Sequence, residues 1–358
     1  MNIIITSPSL DPTKNVSGVS FVTKFIIDNN KGNNYIHFEL GKKDNEKGGI
    51  FRILPIMKNL LKWNQLLSKH PEAIIHYNFP LSKASIIRDP LFIRIALIKK
   101  QKIVIHIHGG VFLTAPSIPT YLNYILKKIF SLPVPFIVLS ELEKKILADK
   151  FNCKNVYVLP NCVDLKEAIS FQRKPNNTNP LVIGYLGRIA ETKGMSYLLD
   201  ACVKLKEKGM PFILKLAGKE EIKDQYLPLF KEKLGAQFVY EGVVSGDKKT
   251  TFLKSLDVFA LPSFFEGLPI SLIECMSFGV VPVTTNVGSI SEIVKEKDNG
   301  LFVQVKDSIT ICQQIVILNS DRNLLQHLSQ NAKEYIIKHF NEQEYINKLN
   351  KIYTKATT

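Results

Sequence analysis

Short apolar runs, each closed by turn residues, alternate along the chain with longer segments whose apolar positions recur at helical spacing. In the first half the runs 1–7, 35–40, 73–77, 102–107, 136–139 and 156–160 predict strands. In the second half, 181–188, 212–217, 239–244, 258–262 and 279–283 do the same. Several are apolar almost throughout, as strands buried on both faces of a parallel sheet are. The segments between them predict helices over 21–29, 56–68, 121–130, from Ser140, from Met195, over 248–256, from Ile270, and over 308–319 and 321–338. Ser140-Glu141-Leu142-Glu143 is a good helix cap. A final helix, 340–355, carries Tyr345, Ile346, Leu349, Ile352 and Tyr353 as its apolar positions. The alternation of strand and helix predicts the α/β class.

At 358 residues the chain suits two domains, each able to bury its own core. The Asn- and Pro-rich stretch 171–180 reads as a linker between a domain at 1–170 and one at 181–338, with 339–358 as a closing helix. No run of about 18 apolar residues is free of charge, so no transmembrane helix is expected. The opening MNIIITSPSL lacks the basic start of a signal peptide and reads directly as a strand. Five cysteines without C-x-x-C spacing argue for reduced thiols in a cytoplasm, against a disulfide frame or a zinc site.

The net charge of +15 is uneven. Residues 1–164 hold 22 Lys and Arg against 11 Asp and Glu, whereas 165–358 hold 25 against 21. A negatively charged partner is therefore expected at the first half, a membrane surface or a nucleic acid. No finger spacing, RNP-like strand or compact basic helix supports nucleic acid. Two segments mix apolar and basic positions: 56–68 with Lys58, Lys62 and the adjoining Lys69, and 88–102 with Arg94, Lys99, Lys100 and Lys102. Either would suit an anionic bilayer, and either would also serve as an ordinary helix with a core face.

The densest chemistry lies in 261–303, LPSFFEGLPISLIECMSFGVVPVTTNVGSISEIVKEKDNGLFV. A buried strand ends there in a tight Glu266-Gly267-Leu268-Pro269 turn. A helix follows from Ile270, Pro269 being pre-set for a helix start. A strand end, free backbone N–H groups and a helix N-terminus make an anion site. Glu266 and Glu274 beside it would accept hydrogen bonds from sugar hydroxyls, so a phosphorylated sugar is the ligand that uses both features. Arg188 and Lys193 share one loop between a strand and a helix, a planar fork and a point charge suited to a diphosphate. No D-x-D sequence occurs to hold a metal there. In the first half, His108 stands at the carboxyl end of a strand, where ligands gather in open parallel sheets. His106 shares its face, but no carboxylate or cysteine lies nearby to complete a metal site. Gly18 sits between a strand and a helix, again a phosphate-facing arrangement.

The order of E-x7-E (Glu266, Glu274), the small-residue strand Gly279-Val280-Val281-Pro282-Val283, Ser291-Glu292-Ile293-Val294 and Asn299-Gly300 resembles the family 4 retaining glycosyltransferases. The resemblance covers nearly the whole chain. It implies the GT-B fold: two Rossmann-like doubly wound domains facing across a cleft, with the C-terminal helix crossing back to the first domain. The first domain would face the acceptor and the second would bind the nucleotide sugar. The implied reaction is sugar transfer, with retention, from a nucleotide-diphosphate sugar (a UDP-sugar foremost) to a hydroxyl of a growing lipid-linked bacterial surface glycan: lipopolysaccharide, capsule or exopolysaccharide. No cofactor or metal is implied.

By the same resemblance Glu274 would hold the ribose, and Arg188 and Lys193 the diphosphate. Glu266 would bind donor-sugar hydroxyls, and the amides of Gly267, Leu268 and Ile270 would face sugar or phosphate. Backbone near Val243 would hold the base, Gly18 would touch the diphosphate from the opposite domain, and His108 the donor sugar or its phosphate. Catalysis would rest on Glu266, Arg188, Lys193 and His108. Glu266 acts either as a nucleophile or beside a front-face route in which the departing phosphate takes the acceptor proton. Three departures stand out: Ser17-Gly18 for a glycine pair, Cys162 for a glycine, and Lys219-Glu220 in a loop usually G-x-G. The expected location is cytoplasmic, on the inner face of the membrane. A nucleotide-sugar 2-epimerase, a phosphorylase-like enzyme and a non-catalytic nucleotide-sugar-binding subunit are the alternative readings of the same fold.

Overall fold

The computed structural model describes residues 1–11, 14–15, 17–41, 53–115, 117–174 and 180–357. The polar loop read at 42–49 lies outside them, as do residues 175–179 of the linker stretch. The chain divides into two compact units, Met1–Cys162 with Glu342–Thr358, and Val163–Asn341.

The first unit runs β1 (Asn2–Ser7), α1 (Gly18–Asn29), β2 (Asn34–Glu39), α2 (Ile53–Lys69), β3 (Ile74–Phe79), α3 (Lys83–Ile98), β4 (Ile103–Ile107), α4 (Val111–Thr114), α5 (Thr120–Phe130), β5 (Phe136–Val138), α6 (Glu141–Phe151) and β6 (Val156–Val158). Its six parallel strands lie in the order β2-β1-β3-β4-β5-β6. β3 and β4 are buried at every residue, which is why neither alternates apolar with solvent-facing polar positions; His76, Asn78 and His106 are their buried polar residues. The order reverses between β1 and β3, and a parallel sheet opens a crevice beyond the strand ends at such a point. Ser7, Phe79 and, one strand further, Ile107 end there.

The second unit runs α7 (Lys166–Ser170), β7 (Leu181–Leu186), α8 (Met195–Glu207), β8 (Phe212–Ala217), α9 (Leu227–Leu234), β9 (Phe238–Gly242), α10 (Gly246–Lys254), β10 (Val258–Leu261), α11 (Ile270–Ser277), β11 (Val281–Thr285), α12 (Ile290–Ile293), β12 (Leu301–Val303), α13 (Ser308–Ser320) and α14 (Arg322–His339). Its sheet is again all parallel, in the order β12-β11-β10-β7-β8-β9. Here the reversal falls between β7 and β10, so the loops after Leu186 and Leu261 share one crevice. The chain closes with α15 (Glu342–Thr357), which belongs to the first unit. It buries Tyr345, Ile346, Leu349, Ile352 and Tyr353 against α1, β3 and β4.

The α/β class read from the alternation is the class observed. Boundaries shifted where local chemistry overrode the apolar pattern. α3 starts at Lys83, ahead of the basic segment read from Arg88, because Ser82 and Ser85 close a reciprocal capping box, and Pro90 is carried inside the helix. Pro269 is the N-cap of α11, in extended conformation, and Ile270 takes the first helical position. α9 and β12 were not read from the sequence; each is short.

Candidate functional site

In the second unit the crevice between β7 and β10 brings two predicted residues into contact. Lys193 ends a 3-10 turn before α8, and Glu266 lies in the loop after β10. The Lys193 ammonium donates to Glu266 Oε1 at 2.6 Å. The Ser263 hydroxyl donates to the same oxygen at 2.7 Å, while Oε2 has no hydrogen-bond partner among the described residues. The loop is held from three sides. Phe264 N–H donates to Thr192 O at 2.9 Å, the Thr285 hydroxyl to Ser263 O at 2.6 Å, and Ser289 N–H to Gly267 O at 3.1 Å. Two glycines permit this approach. Gly194 has φ +75°, and a Cβ there would stand 2.1 Å from Pro262 O. Gly288 has φ +57°, and a Cβ there would stand 1.9 Å from Glu266 O. No side chain larger than hydrogen fits at either place.

The start of α11 faces the same loop. No side chain caps it, and the amides of Gly267 and Ile270 donate to nothing among the described residues, leaving donors for an anion. Leu268 is buried. Glu274, one turn into the helix, is 8% exposed and accepts from the Lys249 ammonium of α10 at 2.5 Å. Glu266 and Glu274 are thus each bound to a lysine of their own.

Arg188 is not part of either pair. Its backbone carbonyl accepts from the buried Tyr185 hydroxyl at 2.5 Å, and its exposed guanidinium meets Glu221 at 3.2 Å. An exposed pair of this kind is weak, so the guanidinium can leave Glu221 for a stronger anion. Val243 follows β9 and is exposed. Gly242 O accepts from Gly218 N–H at 2.8 Å. Glu220, which departs from the family's pattern, binds the amides of Asp224, Tyr226 and Leu227.

In the first unit Gly18 is the first residue of α1, and Ser17 caps the helix by accepting from Ser20 N–H at 3.2 Å. His108 follows β4, partly buried, with Nε2 at 2.6 Å from Asn78 Oδ1. Its ring lies on His106, centroids 4.0 Å apart. His106 Nδ1 meets His76 Nε2 at 3.1 Å, and His76 Nδ1 meets the Tyr353 hydroxyl of α15 at 2.6 Å. Burial holds His76 and His108 down at about 3 and pushes His106 well below the ordinary histidine range, so all three rings are neutral at pH 7. Among the described residues no cluster of three or more His, Cys, Asp or Glu is placed to hold a metal.

Sequence reasoning missed Lys249, Ser263, Asn78 and His76. Lys249 reads as one more solvated lysine in a polar helix. Ser263 carries no spacing signal. Asn78 and His76 sit inside an apolar strand, where a polar residue hints at a buried partner without naming it.

Two doubly wound α/β units, each with a crevice at its strand reversal, make the GT-B fold of the glycosyltransferases. The chain overlays on Anabaena HepE in complex with UDP-glucose with a TM-score of 0.76 and 15% identity, over 99% of this chain and 100% of that one. Within that fold, residues 166–335 match the model of the family described as glycosyl transferases group 1. The chain is 31% identical over 172 residues to an uncharacterized glycosyltransferase of Methanocaldococcus jannaschii, a match that takes in 47% of this chain but only 44% of the relative. It is 23% identical over 312 residues to the UDP-Gal:alpha-D-GlcNAc-diphosphoundecaprenol alpha-1,3-galactosyltransferase of Escherichia coli, covering 83% of this chain and 79% of that protein.

Proposed function

We propose that the protein is a retaining glycosyltransferase that moves a sugar from a UDP-sugar to a hydroxyl of a growing, lipid-linked bacterial glycan. The observation that supports this most is the Lys193–Glu266 pair at the strand reversal of the second sheet, beside the uncapped start of α11. A cation, open amides and a carboxylate with one free oxygen match the three parts of a donor: phosphate, phosphate and sugar hydroxyl. Glu274 takes the ribose hydroxyls, backbone near Val243 the base, and the amides of Gly267, Leu268 and Ile270 the sugar or phosphate. Gly18 adds a contact to the diphosphate and His108 one to the sugar. The E. coli and Anabaena proteins, whose names carry UDP-Gal and UDP-glucose, favour uridine as the base.

In the front-face route the acceptor oxygen bonds to the anomeric carbon as the bond to the β-phosphate oxygen breaks. The acceptor proton passes to that departing oxygen. Negative charge grows on the leaving diphosphate, where Lys193 and Arg188 stabilise it without a divalent ion. The test is a transfer assay with labelled nucleotide sugars on membrane extract, the donor chosen by a thermal-shift screen. Glu266→Ala, Arg188→Ala and Lys193→Ala should each remove turnover and leave the chain folded; near-normal transfer by all three excludes the mechanism.

The acceptor's lipid anchor calls for a membrane-facing surface, and the first unit has the chemistry for one. α3 packs against both α2 and α5. Leu54, Leu61 and Ile98 on these helices are 81%, 65% and 70% exposed, among exposed Lys58, Lys62, Arg94, Lys127 and Lys128. Exposed apolar side chains on helices that also carry exposed cations suit an anionic bilayer. No helix among the described residues is long and apolar enough to cross a membrane. Co-sedimentation should require anionic lipid and weaken with salt. Equal binding to neutral vesicles argues against this surface.

A further inference from the structure

The hydrogen bonds around Asn78 fix the place of a proton on its histidine neighbour. Asn78 is 4% exposed, at the end of β3 beside the strand reversal of the first sheet. One side of its amide lies 2.6 Å from Thr6 O and 2.9 Å from the Thr23 hydroxyl. A backbone carbonyl only accepts, so the group facing Thr6 is the NH₂. The amide can be turned only one way, and its Oδ1 faces His108. Oδ1 also only accepts, so the ring nitrogen 2.6 Å from it carries a hydrogen. In a neutral imidazole the second nitrogen is then bare. Nδ1 of His108 makes no hydrogen bond among the described residues, and the residue is only partly buried.

We propose that Asn78 is a positioning residue that locks His108 as its Nε2–H tautomer, so that His108 meets its ligand through the Nδ1 lone pair and takes a sugar hydroxyl, not a phosphate oxygen. The reason is complementarity. A hydroxyl donates to a lone pair, whereas a phosphate oxygen at neutral pH brings lone pairs of its own and would need a donor or a cation. The ring is held away from the cationic state by burial, and the neighbouring His106 is itself neutral. This narrows the sequence-based expectation for His108 from sugar or phosphate to sugar alone. It rests on the proposed glycosyltransferase reading for the ligand, but not for the tautomer.

The experiment is ¹⁵N NMR of the full chain with labelled histidine, His108 being assigned by the signal lost in His108→Gln. At pH 7 His108 should show a protonated Nε2 and a bare Nδ1. A protonated Nδ1, or a ring with both nitrogens protonated, overturns the proposal without any variant at Asn78. In Asn78→Leu, which removes the acceptor at similar volume, the ring should become a mixture of tautomers; an unchanged Nε2–H ring overturns the role of Asn78. Adding UDP-glucose should shift the Nδ1 signal and leave Nε2 in place, while UDP and inorganic phosphate move neither. A shift of Nδ1 by phosphate or UDP overturns the choice of a hydroxyl, as does silence of Nδ1 when calorimetry shows UDP-glucose bound. Should calorimetry find neither UDP nor UDP-glucose bound, the donor reading fails, while the tautomer signals still decide for or against Asn78.

Discussion

Acidification should weaken the first unit through its buried histidines, and the size of the effect can be worked out. His76 and His108 have folded values of about 3 against an ordinary 6.5. When the folded value lies below the unfolded one, the unfolded chain takes up protons that the native chain refuses. Stability is then intact above the unfolded value and is lost as pH falls from 6.5 toward 3. Between pH 7 and pH 5 each such ring removes about 2 kcal/mol, hence about 4 kcal/mol for the two. Asp89 acts in the opposite sense. Burial pushes its carboxyl up to about 6 against the pull of Arg88, so protonation in the native state returns about 1 kcal/mol over the same interval. The net loss is about 3 kcal/mol, and His106, also held low, adds to it. That is a large part of the 5–15 kcal/mol by which domains are typically stable.

The chain supplies its own probe. Its single tryptophan, Trp63, is fully buried in the first unit and donates its ring N–H to Phe92 O at 3.0 Å. Urea unfolding followed by Trp63 fluorescence should show the midpoint falling by about 1 to 3 M from pH 7 to pH 5. His76→Asn, which cannot take up a proton in either state, should lose about 2 kcal/mol of this pH dependence even if it starts less stable. Coincident transitions at the two pH values would refute the reasoning.

Three further outcomes are expected. Gly194→Ala must relieve a contact of 2.1 Å with Pro262 O at φ +75°, so differential scanning calorimetry should show a loss of about 1–3 kcal/mol, and an unchanged melting profile contradicts the geometry. Ser263→Ala removes one of the two hydrogen bonds on Glu266 Oε1, worth about 1 kcal/mol, so kcat/KM for sugar transfer should fall about fivefold with Lys193 still paired. Lys249→Met leaves Glu274 buried without its cation, at a loss of about 3 kcal/mol in thermal unfolding; the double variant with Glu274→Gln should recover a third or more of it, and strictly additive losses would show that the two residues are not coupled.

What could be read from the sequence, and what could not, divides along a physical line. Strands buried on both faces announce themselves, because most of the residues that survive there are apolar. Runs such as 103–107 and 258–261 therefore needed no structure to be seen. Contacts across the sheet do not announce themselves. Lys193 and Glu266 are far apart in sequence, and each attracted notice for its own loop. That the loops meet depends on strand order, on β10 lying beside β7 and not beyond β9, which no local pattern encodes. The glycines that let the loops touch, Gly194 and Gly288, read only as turn residues until a backbone atom is found where a Cβ would go. The partners of Glu274 and His108 were illegible for a different reason. A lysine in a polar helix and an asparagine in a buried strand are defined by what they face, and facing is a property of the fold. The α3 boundary was lost because its capping box closes on a serine, Ser85, where the usual signal is a glutamate or glutamine.

The two units use the same device with opposite electrostatics. Each parallel sheet reverses its strand order once, and each reversal carries a polar side chain pinned by its neighbours at the mouth of the crevice. In the second unit the pinned group is charged: Glu266 is held by Lys193 and Ser263, and a second carboxylate, Glu274, is held by Lys249. These pairs keep two negative groups beside open amides without the repulsion that would drive a diphosphate away. In the first unit the pinned group is kept neutral: His108, held by Asn78 and backed by the buried His106 and His76, offers a hydrogen-bonding atom with no net charge. A neutral acceptor discriminates among hydroxyls by direction, since it gains little from charge at a distance; a paired cation holds phosphate by charge and tolerates small displacements. On the proposed function, variants at Lys193 should change affinity for UDP, and variants at Asn78 should change preference between UDP-sugars.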